Sequence, residues 1–105
     1  MGKFIVKLGD FYFEYSTIVD APTTFGMTLD DFKTYYQHQY GAEGMRGLGI
    51  RLKRLEKTGT SAFGDRDVDQ TLAGNRAGPN ETTLTPDEIL RAYCLREPVK
   101  GWLPE

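Results

Sequence analysis

From Lys3 to Ser16 apolar and polar side chains alternate, with one interruption at Gly9-Asp10. Placing those two residues as a tight turn pairs Leu8 with Phe11, Val6 with Phe13 and Phe4 with Tyr15, all on one face. The other face pairs Lys7 with Tyr12, Ile5 with Glu14 and Lys3 with Ser16. The pattern predicts antiparallel strands over about 3–8 and 11–18, in a register that a one-residue slip would ruin. Two strands are not stable alone, so the apolar face requires a cover of helices.

The period then changes from two to 3.6. After a Pro- and Gly-containing loop from Asp20 to Met27, Thr28 is placed as an N-cap with Asp30 and Asp31 in the first turn. Leu29, Phe32, Tyr35, Tyr36 and Tyr40 fall within an arc of roughly 140°, which predicts a helix over about 28–40 that Gly41 ends. Gly41, Gly44, Gly47 and Gly49 leave open whether 41–49 is helical, because each glycine inside a helix costs up to about 1 kcal/mol, and they suit either tight helix–helix packing or a flexible joint. A second helix is expected over about 44–58, secure only from Ile50. Asp67 and Gln70 announce a short third helix over about 67–74. Thr85-Pro86-Asp87-Glu88 is a strong helix start for a fourth, over about 85–96. Residues 97–105 form a tail whose Trp102 and Leu103 are expected to dock. The expectation is a single α+β domain spanning 1–105, an N-terminal two-stranded antiparallel hairpin packed on three to four helices.

Composition narrows the class without naming a function. The 39% hydrophobic and 27% charged fractions belong to an ordinary globular chain. The segment Met1 to Lys7 is too short and too alternating for a signal-peptide core, and no stretch is long enough to span a bilayer, so a soluble protein with no membrane partner is expected. Cys94 is the single cysteine, which suits a reducing cytoplasm and excludes an intramolecular disulfide. The net charge of −2 is unevenly placed. Residues 1–43 and 58–105 each carry −3, whereas residues 44–57 carry +4 through Arg46, Arg51, Lys53, Arg54 and Lys57 against Glu56. Those five form a candidate basic surface, the one segment suited to a polyanion.

Several constellations fail on inspection. Asp65, Asp67 and Asp69 have the spacing that opens a calcium loop, but Gln70 and Arg76 stand where that loop needs glycine and a bidentate acid. The 41–49 glycines follow a helix and lack a Gly-Lys-Ser/Thr ending, unlike a phosphate cradle. His38 and Cys94 are the only candidates for a thiol–imidazole pair, and nothing in the sequence brings them together. One histidine excludes a two-histidine zinc site. No catalytic, cofactor or metal residue is therefore assigned, and an enzyme is the less favoured class. A helix–turn–helix reading of residues 28–58 lacks base-reading Asn or Gln on its second helix. Two hydroxyl- and amide-rich loops, 16–28 and 75–81, offer a candidate polar patch of Asp20, Thr23, His38, Asn75, Arg76 and Asn80.

The hairpin, the run Ser16-Thr17-Ile18-Val19-Asp20-Ala21-Pro22 leading to Gly26-Met27, and the run Asn75-Arg76-Ala77-Gly78-Pro79-Asn80-Glu81 together resemble small uncharacterised proteins of phages and mobile elements. The resemblance implies a host- or defence-directed binding protein acting in the host cytoplasm, and carries no residue roles. The sequence reading is thus a non-enzymatic protein-interaction module, of the kind that inhibits a host or defence system. It has two open hairpin edges through which a partner or a second copy would pair. The alternatives are a small nucleic-acid-binding protein using residues 46–57, and a small enzyme with its site between loops 16–28 and 75–81.

Overall fold

The computed structural model describes residues 3–62 and 67–104. Strands β1 (Lys3–Leu8) and β2 (Phe11–Ser16) pair in the expected register, all the way from Leu8↔Phe11 to Lys3↔Ser16. Gly9 carries the positive φ, 61°, that the tight turn demands. β2 ends at Ser16 rather than near residue 18. There the Ser16 hydroxyl accepts from the Ile18 and Val19 amides and turns the chain. The turn brings β3 (Ala21–Pro22) against Tyr15 and Ser16, so the sheet has three strands in the order β1-β2-β3, not two.

Both hairpin edges are occupied, contrary to the open edges expected. Along β1, Ile5 exchanges bonds with Ser61, through the Ser61 hydroxyl and amide, and the Lys7 amide donates to the Gly59 carbonyl. Along β2, Tyr12 pairs with Met27 in both directions, and the Glu14 carbonyl and amide are taken by Thr23 and Thr24. Strand addition finds no free backbone groups at these positions.

The expected first and second helices, over 28–40 and 44–58, form one element, α1 (Leu29–Thr58), with Thr28 as N-cap and Gly59 as left-handed C-cap. Inside it only Gly41 leaves helical geometry, at φ 66° and ψ −160°. A straight helix would hold Tyr36 and Arg51 about 22 Å apart, yet the Arg51 guanidinium donates to the Tyr36 hydroxyl. The two arms of α1 therefore double back at one residue. Across 41–49 the break is confined to Gly41 and close packing to Gly44, while Gly47 and Gly49 are helical with open space around them.

The C-terminal layer contains α2 (Val68–Leu72), capped by a reciprocal Asp67–Gln70 box, and α3 (Pro86–Ile89), capped by a Thr85–Glu88 box. The proposed calcium-loop residue Asp65, with Arg66, lies outside the described residues. α3 runs on into one π-helical turn, Leu90–Cys94, where the Leu95 amide reaches the Leu90 carbonyl. The tail turns back through a Val99↔Trp102 bridge, and Trp102 packs edge-on to Tyr93 as expected.

The sheet is covered on both faces. Val6, Phe13 and Tyr15 meet Leu72, Leu84, Ile89, Tyr93 and Val99 of the C-terminal layer. Ile5 meets Phe32, Tyr36, Leu48 and Leu55 of α1. The face that the alternation assigned to Lys3, Lys7 and Ser16 is thus a second core, and the architecture is three layers. No helix among the described residues is long and apolar enough to cross a membrane.

Candidate functional site: the cleft beside Glu14

The second core contains a carboxylate. Glu14 sits on β2 opposite Ile5, and its residue is only 3% exposed. Burying an ion is costly unless its oxygens are satisfied. Here Tyr35 donates to Oε1 at 2.5 Å, and the Tyr40 hydroxyl lies 2.9 Å from Oε1 and 2.7 Å from Oε2. Both tyrosines come from the first arm of α1, reaching down onto the sheet. Burial, then the bond to Glu14 and its charge, push both phenols well above their ordinary value, so they stay neutral donors. No ion pair among the described residues includes Glu14.

A cleft of about 800 Å³ opens beside this carboxylate, between β1–β2 and the doubled α1. Ile5, Tyr36 and Tyr40 give it apolar walls, and Tyr36 and Tyr40 stack with ring centres 4.5 Å apart. Gly44 stands directly over Tyr40, where a Cβ would come within 2.3 Å of the Tyr40 Cβ. The second arm can approach only because that position lacks a side chain. Lys3, Glu43, Arg51 and Arg54 line the cleft as well, together with Ile18, which is 77% exposed. The size suits a drug-sized molecule or a few side chains of a polypeptide.

The candidate basic surface is divided by this geometry. Arg51 and Arg54 turn towards the cleft, with Arg54 also reaching the Ser61 carbonyl. Arg46, Lys53 and Lys57 remain exposed, Arg46 in a 3.0 Å pair with Glu43.

The candidate polar patch is also divided. Loops 16–28 and 75–81 do meet, through the Arg76 amide on the Asp20 carbonyl at 2.6 Å and an Arg76–Asp20 ion pair at 3.5 Å. Arg76 further pairs with Glu81 at 3.6 Å, so its guanidinium latches two loops. Asn75 is buried and serves the backbone, donating to the Leu72 and Leu84 carbonyls and accepting from the Ala77 and Leu84 amides. Thr23 holds the Glu14 carbonyl at the edge of β2, and Asn80 occupies a left-handed turn position at φ 56°. His38 is exposed on α1, in the layer across the sheet from Asn75, so the six do not form one site. Cys94 is buried against Gly26 in the C-terminal layer, which separates it from His38. Among the described residues no group of three His, Cys, Asp or Glu is placed to hold a metal.

The sequence reading missed Glu14 because strand alternation put it with Lys3 and Lys7, on a face expected to be wet. The available signal was chemical: an acid within an aromatic strand, and a helix stripe whose Tyr35 and Tyr40 satisfy it. No known protein family, curated protein or solved structure matches this chain.

Proposed function

We propose that the protein is a non-enzymatic interaction module that docks a segment of a partner polypeptide in the cleft between β1–β2 and α1. The observation that carries this reading is the cleft itself, lined by apolar Ile5, Tyr36 and Tyr40, by the exposed Ile18, and by the cations Lys3, Arg51 and Arg54. Apolar and aromatic walls among charged side chains suit a docking surface. Lys3, Arg51 and Arg54 in the lining suit a segment bearing acidic residues. A target within a host or defence system is part of the proposal on the strength of the sequence resemblance alone.

Selection from a displayed random-peptide library against the full chain tests it. Enriched peptides are expected to combine apolar and acidic residues, and to lose about tenfold in affinity or more against Ile18→Asp and Arg51→Glu. Peptides whose binding ignores both substitutions would overturn the cleft as the docking surface. A second reading is favoured by Arg46, Lys53 and Lys57, which stand exposed beside Ile50, itself 63% exposed. Oligonucleotide binding with a steep salt slope that shrinks in Lys53→Ala and Lys57→Ala would put nucleic acid in place of the polypeptide.

A further inference from the structure

The docking cleft has an unusual floor, and its chemistry specifies what enters. Glu14 is a buried carboxylate whose hydrogen bonds come from two neutral phenols, with no cation among its ion-pairing neighbours in the described residues. A carboxylate offers about four acceptor directions, and the two hydroxyls leave capacity towards the cleft that it lines. Beside it lie the faces and edges of Tyr36 and Tyr40 and the side chain of Ile5. Aromatic walls around a fixed negative charge are the environment that holds an alkylammonium, through the ring quadrupoles and a charge-assisted bond together. The aliphatic stem of such a group would run along Ile5. Three cations, Lys3, Arg51 and Arg54, line the same cleft, with Arg51 bonded to the Tyr36 hydroxyl. Those cations disfavour a polybasic ligand, whereas one ammonium flanked by carboxylates matches both Glu14 and the cations around it.

We infer that the cleft is a receptor for a single primary alkylammonium, the side chain of a partner lysine flanked by acidic residues, seated on Glu14 beside the contacting rings of Tyr40 and Tyr36. This rests on the reading of the cleft as a polypeptide-docking site and names the group that anchors the segment.

The test titrates the full chain with Nα-acetyl-lysine methylamide and with its Nε-acetylated, uncharged counterpart, followed by NMR. The charged compound is expected to shift the Tyr36 and Tyr40 ring signals saturably, and the neutral one to bind about tenfold more weakly. Glu14→Gln, checked for an intact amide spectrum, should lose about the same factor, while Tyr40→Phe, which keeps both ring and carboxylate, should retain binding within about threefold. If Glu14→Gln does not fold, the comparison of the two compounds on the unsubstituted protein decides. Equal binding of the two compounds, or shifts confined to Arg46, Lys53 and Lys57, overturns the inference. The two proposals fail separately. Cleft-binding peptides that lack lysine and are not displaced by n-butylammonium would remove the ammonium site and leave docking standing. Ammonium binding with no peptide selected would do the reverse.

Discussion

At Gly26 the backbone passes so close to the C-terminal layer that an added Cβ would lie 2.5 Å from the Cys94 Sγ and 3.0 Å from its Cα. The obstruction includes backbone and a buried side chain, so neither can swing aside. Gly26→Ala is expected to cost about 1–3 kcal/mol of stability, measured by urea denaturation. The same burial pushes the Cys94 thiol up to about 11. Thiol-specific reagents at pH 8 should therefore label native protein slowly and urea-unfolded protein at once; rapid native labelling would contradict the packing. Asn75 is the other residue on which local structure hangs. Asn75→Ala would remove the side-chain partners of the Ala77 amide and of the Leu84 amide and carbonyl, while the Leu72 carbonyl keeps the backbone amide of residue 75. A loss of about 3 kcal/mol or more is expected, again by denaturant titration. Neither constraint could be read from the sequence. Gly26 and Asn75 look like ordinary loop residues there, because the groups they serve are distant in the chain.

Gly41 carries the doubling of α1. Its φ and ψ lie in a region that residues with a Cβ avoid, although nothing stands within 4 Å of where that Cβ would go. Gly41→Ala should cost about 1–3 kcal/mol through the backbone alone. Gly47 and Gly49 are helical with open space around them, so alanine at either should raise stability by up to about 1 kcal/mol. Gly44→Ala, pressed on Tyr40, should lower it. Thermal denaturation of the four single variants checks this order. Helix starts at Thr28 and Thr85 were legible because capping is local chemistry. The stop at Gly41 is legible too. The choice between a joint and close packing over 41–49 is not, because the four glycines look alike in sequence while Gly41 bears the turn and Gly44 permits the close approach.

Across the whole molecule, a sheet lies between two cores, with titratable groups buried in both. Cys94 is pushed up to about 11 and Tyr15 to about 12, the first by burial and the second by burial and the Asp20 carboxylate. Tyr35, Tyr40 and Tyr93 move in the same direction. Each folded group holds its proton to higher pH than the unfolded chain does, so its contribution is full below the ordinary value and lost as pH rises through the folded one. Melting temperature should therefore fall progressively from about pH 9 to about pH 12, beginning with the thiol and continuing with the phenols; a flat profile over that range would contradict buried, neutral tyrosines. The register of the hairpin was legible because period two and one turn fix it. The second core was not, because alternation says which residues share a face but not whether a distant helix will cover it. The segments that occupy the sheet edges were equally hidden, since Thr23–Met27 and Gly59–Ser61 pair without any periodic pattern of their own. Their presence has a kinetic meaning. The amides of Ile5, Lys7 and Tyr12, which would exchange with solvent deuterium freely on an exposed hairpin, are each bonded to a non-neighbouring segment. Their protection reports the detachment of those segments, and makes them gauges of the partly opened forms through which this chain would first expose a strand to other copies.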